Sequence, residues 1–165
     1  MKQFGLQVLR TRVCIAFVLL SVNFLHAQTF QLQTKYAMIM VDDKGSIVSI
    51  KDKKTGQEYC PKGMSSALMS LYNHKQYILP KKAVYNAAKH EFTLTYDNGS
   101  EARIKAEQKQ QYLRFQLLSL TSRTEVDNIV WGPYKTTISK TIGDVIGVVR
   151  NNDLLRLAVP LIVGF

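Results

Sequence analysis

The chain offers few side chains of the types that catalyse reactions. Cys60 is the only cysteine apart from Cys14, and His74 and His90 are the only histidines apart from His26. A thiol nucleophile needs a neighbouring base, and no spacing among these residues indicates a catalytic triad. We therefore expect Cys60 to be a buried structural residue and His74 to lie in a surface loop, and we assign no catalytic residue.

The acidic residues give no sign of a metal or a cofactor. Asp42, Asp43 and Asp52 lack the alternating oxygen ligands and the terminal glutamate of a calcium loop. Aspartate side chains accept hydrogen bonds from backbone N–H groups in turns, so turn formation explains all three. We predict no metal and no cofactor.

Trp131 and Tyr134 are the residues best suited to bind a ligand. Trp131 is the only tryptophan, and it stands in Trp131-Gly132-Pro133-Tyr134, a turn with a second aromatic side chain. Sugars stack their C–H faces on such rings while neighbouring polar groups bind the hydroxyls. Both residues are therefore candidates for carbohydrate binding. The alternative is that Trp131 is a core residue at the end of a strand.

The first 27 residues have the pattern of a secretory signal peptide. Basic residues come first, then an apolar run, then a small residue: Lys2, Arg10 and Arg12, residues 13–25, and Ala27. The run is shorter than the ~20 residues that span a bilayer. We expect residues 1–27 to be cleaved and the remaining chain to be secreted or periplasmic, with no membrane attachment.

After residue 27, apolar and polar side chains alternate, which is typical of half-buried strands. One alternating set predicts a single first strand with these residues on its buried face: Phe30, Leu32, Tyr36, Met38 and Met40. A three-residue loop at residues 97–99 pairs Leu94 with Ala102 and Phe92 with Ile104, so that both apolar sets share one face. Equal loops at residues 43–45 and 54–56 predict four more pairs: Met40 with Val48, Met38 with Ile50, Ile50 with Cys60, and Lys51 with Tyr59.

These patterns predict an all-β protein, an antiparallel β-sandwich over residues 28–150. Further strands are expected near residues 67–72, 76–79, 83–86, 112–120, 128–131 and 145–150. Short strands with one apolar face favour two packed sheets. The C-terminal segment, residues 151–165, is apolar from Leu154 to Phe165 apart from Arg156, which indicates a strand without its partners or a sequence altered by truncation or a frameshift.

The net charge of +10, from 22 basic and 12 acidic residues, raises the question of nucleic-acid binding. The lysines are scattered over turns and strand faces, and the clusters are short: Lys51, Lys53 and Lys54, and Lys81 and Lys82. A solvated surface explains them, because lysine also protects sheet edges from aggregation. We predict no nucleic-acid partner.

Two segments carry a family resemblance: residues 41–59, VDDKGSIVSIKDKKTGQEY, and WGPY at residues 131–134 with the strands that follow to residue 150. They resemble the N-terminal β-supersandwich, or galactose-mutarotase-like, domain of exported glycoside hydrolases from gut Bacteroidetes. The resemblance covers about residues 30–150. It implies a supersandwich that is truncated here and that packs, in its relatives, against a separate catalytic domain.

The resemblance also implies a function. It points to an exported, carbohydrate-associated accessory module that is not an enzyme as it stands, with a glycan and a catalytic domain or other protein chain as partners. One alternative is an interaction module whose exposed sheet edge or apolar C-terminal strand binds another chain. Another is a small mutarotase-like enzyme, although no local match assigns the histidine roles of mutarotases to His74 or His90, or the glutamate role to any particular glutamate.

Overall fold

The computed structural model describes residues 28–138, 141–142, 148–151, 155–158 and 163–164. Within them every regular element is a strand, and the strands pair antiparallel, which confirms the predicted all-β sandwich class. None of these residues forms a helix that could span a membrane. The predicted signal peptide lies outside the described residues, as does most of the apolar segment 151–165.

The described residues form four sheets. The first contains β1 (Phe30–Gln33), β2 (Ala37–Val41), β3 (Ser46–Asp52) and β4 (Ser66–Ala67), each paired with the next. The second contains β7 (Pro80–Asn86), β8 (Glu91–Tyr96), β9 (Glu101–Gln108) and β10 (Leu113–Thr121), again in sequence order. The third pairs β6 (Gln76–Ile78) with β5 (Met69–Asn73), β5 with β11 (Asn128–Trp131), and β11 with β15 (Val163–Gly164). The last contains β12 (Thr141–Ile142), β13 (Val148–Asn151) and β14 (Leu155–Ala158).

One hydrophobic core joins the first three sheets. The ring of Phe30 in β1 lies edge-on to Phe92 in β8, with 5.7 Å between ring centroids. Tyr96, which ends β8, is fully buried and donates its hydroxyl to the carbonyl of Met69 in β5 at 3.1 Å. A buried phenol stabilises a core when its O–H finds a partner, so this bond helps to join the second sheet to the third.

The predicted hairpin at residues 97–99 is confirmed. Leu94 pairs with Ala102 and Phe92 with Ile104, and all four side chains are fully buried. Gly99 closes the loop at φ 78°, a left-handed conformation that glycine adopts without a steric penalty. The alternation of apolar residues on both strands therefore predicted the register of this hairpin correctly.

The single first strand was a wrong prediction, because the chain turns at Thr34. The Thr34 hydroxyl oxygen accepts hydrogen bonds from the N–H groups of Tyr36 and Ala37, at 3.0 and 2.9 Å. This turn separates β1 from β2 and reverses which side chains face inward. Phe30 and Leu32 are buried as predicted, but Tyr36, Met38 and Met40 are not; instead the buried residues of β2 are Ala37, Ile39 and Val41.

The other two hairpins form with their register displaced by one residue. The loop at residues 43–45 is present, but a bulge in β3 pairs Met40 with Ser49 and Ile39 with Ile50, so the predicted pairs Met40–Val48 and Met38–Ile50 are wrong. The next turn holds four residues, and Lys51 bridges Glu58. The predicted pairs Ile50–Cys60 and Lys51–Tyr59 are therefore also wrong, although Cys60 is buried as expected.

Candidate functional site

The predicted carbohydrate-binding pair lies largely inside the molecule. Trp131 ends β11 opposite Met69, is only 8% exposed, and has the ring of Phe115 at 6.4 Å. Tyr134 is partly buried and donates its hydroxyl to the carbonyl of Leu68 at 2.9 Å, and burial raises the pKa of that hydroxyl. These are the surroundings of core side chains. Carbohydrate binding through Trp131 and Tyr134 stays a prediction.

Cys60 lies beside Glu58, whose carboxylate accepts hydrogen bonds from the surrounding backbone. Glu58 accepts hydrogen bonds from the N–H groups of Ile50 and Cys60, at 2.8 and 2.9 Å, and from the hydroxyl of Ser49. Burial acts to raise the pKa of Glu58, but these bonds outweigh it and leave the pKa below its usual value. Burial, with the nearby charge of Glu58, raises the pKa of the Cys60 thiol to about 11. A thiol in this state is a poor nucleophile.

The two histidines lie in different turns. His74 is exposed between β5 and β6, as predicted, and its backbone N–H donates to the Asp127 carboxylate at 3.0 Å. His90 precedes β8, and its ring nitrogen Nδ1 lies 3.3 Å from the hydroxyl of Tyr85. Among the described residues, neither ring contacts a carboxylate. The arrangement therefore contains no His–carboxylate pair of the kind that general acid–base catalysis uses.

The predicted role of the aspartates in turns is confirmed for two of them. The Asp42 carboxylate accepts from the N–H groups of Lys44 and Ser46, at 3.0 and 2.7 Å. The Asp52 carboxylate accepts from those of Lys54 and Thr55, at 2.7 and 2.8 Å. Asp42 thereby fixes the β2–β3 loop, which approaches the second sheet.

A groove opens where the β2–β3 loop meets β7. We call it the basic groove; its volume is about 730 Å³, and its lining residues are Gln28, Phe30, Asp43, Lys44, Lys81, Lys82, Ala83, Val84 and Tyr85. The backbone N–H of Ala83 donates to the carbonyl of Asp43 at 2.6 Å, which ties β7 to the loop. Gly45 makes this approach feasible, because a Cβ at its position would lie 2.8 Å from the Leu94 side chain.

A bulge in β7 brings two lysines to the surface side by side. The pairing with β8 shifts between Pro80 and Lys82, and Lys81 and Lys82 are both exposed, whereas Pro80 and Ala83 are buried. In a regular strand neighbouring side chains point to opposite faces. A bulge redirects one of them, which is why bulges recur beside functional sites.

The charge of the basic groove is only partly neutralised. Three lysines and one acidic residue, Asp43, line the groove, and Lys81 forms an exposed ion pair with Asp97 at 3.3 Å. Across the described part of the chain, Lys44 and Lys82 have no carboxylate within 4.0 Å. Two lysines are therefore available for an anionic ligand.

Comparison of the chain with known protein families, with curated proteins and with solved structures finds no match.

Sequence reasoning noted the adjacent Lys81 and Lys82 but interpreted them as solvated surface. The only local signal is the adjacent lysine pair itself, because two neighbouring exposed side chains in a strand with one buried face favour a bulge. Nothing in the sequence indicates that the loop at residues 43–45 packs against β7, since these segments are almost 40 residues apart in the chain.

A second surface feature lies on β10, the edge strand of the second sheet. Its inward side chains, which we call the β10 face, are only partly buried: Leu113, Phe115, Leu117 and Leu120. Their partners on β9 include Ile104 and Ala102, which are fully buried. The core is therefore less completely covered at this edge than at its centre.

Proposed function

We propose that this chain is an exported, carbohydrate-associated accessory β-sandwich module from the front of a glycoside hydrolase, non-catalytic as it stands. Its role is to bind polysaccharide through the basic groove and to keep an associated catalytic domain near that polysaccharide. The resemblance of residues 41–59 and 131–150 to galactose-mutarotase-like front domains supports the family assignment. The segment that carries the resemblance includes the β2–β3 loop, which forms part of the groove.

The observation that carries the proposal is the composition of the basic groove. An open surface of this size combines the ring of Tyr85, which is partly exposed, with hydrogen-bond donors on three lysines. Aromatic rings contact the C–H faces of sugars, and convergent polar groups bind their hydroxyls. Open grooves rather than closed pockets suit a polymer that extends beyond the site at both ends.

Affinity electrophoresis of the full chain in gels that contain single polysaccharides tests this function. We expect at least one soluble polysaccharide to retard the chain, and no release of reducing ends when the two are incubated. Unchanged mobility with every polysaccharide would contradict the proposal. Release of reducing ends, or faster interconversion of sugar anomers, would show that the chain is an enzyme.

The β10 face supports a second candidate, a module that binds another protein chain. Leu118, at the bulge of β10, is 41% exposed beside the half-covered Leu117 and Leu120. Exposed apolar residues along a sheet edge favour association with another chain. Sedimentation velocity at several concentrations distinguishes the candidates, because a sugar-binding monomer keeps one sedimentation coefficient, whereas self-association through this face shifts it. Leu117→Asp should abolish such a shift.

A further inference from the structure

We infer that the basic groove selects acidic polysaccharides, whose uronate or sulfate groups bind Lys44 and Lys82. This inference rests on the proposed function and names the class of glycan that the groove takes. Lys44 follows Asp43 in the β2–β3 loop and Lys82 precedes Ala83 in β7, so the Asp43–Ala83 hydrogen bond brings the backbones of the two lysines together at the groove. Both lysines are thereby placed to bind acidic groups of one glycan chain.

The three lysines of the groove differ in whether a carboxylate already neutralises them, and this difference identifies Lys44 and Lys82 as the pair that binds the ligand. Lys81 already has the Asp97 carboxylate at 3.3 Å, so a ligand would have to compete with that partner. Lys44 and Lys82 lack such a partner among the described residues, and their positive charge is free to interact with a ligand. The single lining carboxylate, Asp43, leaves the groove with an excess of positive charge.

After the bulge at Lys81, β7 pairs regularly with β8. Lys82 is exposed opposite Thr95, while Ala83 and Tyr85 face inward opposite Leu94 and Phe92. The Tyr85 ring is fixed there by its contact with Phe92, at 4.6 Å between centroids. Tyr85 and the lysines line the same groove, so a polysaccharide that lies along it would reach both the ring and the ammonium groups.

The groove favours a glycan over a nucleic acid. A nucleic acid carries a charge on every nucleotide, and its binding surfaces follow the backbone with a long track of basic residues and stacking rings. Here the lining contains three lysines with an aspartate among them. Tyr85 is the one partly exposed ring of the lining, so the groove lacks the row of stacking rings that successive bases need.

Two matched pairs of polysaccharides test the inference: polygalacturonate against its methyl-esterified form, and dextran sulfate against dextran. Each pair shares a backbone and differs in charge. We expect the full chain to be retarded by the acidic member and not by the neutral one. Comparing the retardation in the polygalacturonate gel with that in the dextran sulfate gel shows whether the groove binds carboxylate or sulfate groups.

A double variant distinguishes the groove from the overall charge of the protein. Lys44→Gln with Lys82→Gln should weaken the retardation at least about fivefold, the effect of losing two exposed charge contacts. Lys54→Gln with Lys62→Gln removes the same charge from exposed positions that do not line the groove. This control variant should change the retardation less than about twofold.

The outcomes separate this inference from the proposed function. Equal binding of neutral and acidic members, or equal loss in both double variants, would overturn the inference and leave carbohydrate binding standing. Binding of single-stranded DNA as tight as that of the acidic polysaccharides, with the same sensitivity to Lys44 and Lys82, would overturn the assignment to glycans. Failure to bind any polysaccharide would overturn both.

Discussion

Replacing Gly45 with alanine should destabilise the fold more than the same change at Gly56. Both glycines have left-handed backbone conformations, with φ of 81° and 74°. A Cβ at Gly45 would lie 2.8 Å from Cδ2 of Leu94, whereas at Gly56 it would have no atom within 4 Å. The pair therefore separates the cost of backbone strain, which both variants share, from the cost of the close approach at the basic groove.

The expected losses of stability follow from the backbone strain and from the close approach to Leu94. An alanine in the left-handed conformation destabilises the folded state by about 1–2 kcal/mol relative to glycine. Alanine also lowers the conformational entropy of the unfolded chain, which offsets roughly 0.4–1 kcal/mol of that loss. Gly56→Ala should therefore lower the free energy of unfolding by about 1 kcal/mol. At Gly45 the fully buried Leu94 has little room to move, and overpacking adds about 1–3 kcal/mol.

Urea denaturation followed by tryptophan fluorescence measures the difference. With a slope of about 1–3 kcal/mol per molar urea, we expect the midpoint of Gly45→Ala to lie roughly 1 M below that of Gly56→Ala, with equal slopes. Equal midpoints would refute the close approach of the β2–β3 loop to β8. Gly45→Ala should also weaken polysaccharide binding, because it displaces the loop that carries Lys44.

Three further results are expected. Cys60 should react with a thiol reagent at pH 8 about 100-fold more slowly in the folded protein than in denaturant, because its pKa of about 11 suppresses the thiolate; rapid stoichiometric labelling would contradict its burial. The raised pKa favours the folded state while the thiol is protonated, so stability should fall as the pH rises from about 9 to 11, and Cys60→Ser should lose that component of the pH dependence in urea titrations. Trp131→Ala should cost about 3–5 kcal/mol in thermal or urea unfolding, the effect of emptying a core site, and a loss below 1 kcal/mol would show that the indole is a surface group.

The sequence predictions were correct where apolar and polar residues alternate clearly along a strand, and wrong where they do not. The hairpin at residues 97–99 was predictable because apolar residues alternate on both of its strands and glycine closes the loop. β2 was not, because Met38, Ile39, Met40 and Val41 are all apolar and either parity gives a buried face. The turn at Thr34 rests on a single side-chain hydrogen-bonding group, which alternation does not reveal.

The basic groove depends on contacts between distant parts of the chain. The hydrogen bond from Ala83 to Asp43 joins segments that no local pattern relates, and the bulge at Lys81 and Lys82 follows from the pairing of β7 with β8. The burial of Trp131 likewise depends on β10, whose Phe115 packs against it. Sequence alone therefore predicted the all-β class and the hairpin at residues 97–99, but not the groove.

Chemical-shift mapping tests the central claim, polysaccharide binding in the basic groove, most directly. The ¹⁵N-labelled full chain is titrated with a polygalacturonate oligosaccharide while the backbone amide signals are followed. We expect the largest shifts at the amides of Lys44, Lys82 and Val84, with small shifts at Trp131. Unchanged spectra, or shifts that centre on Trp131 and Tyr134, would contradict binding in this groove.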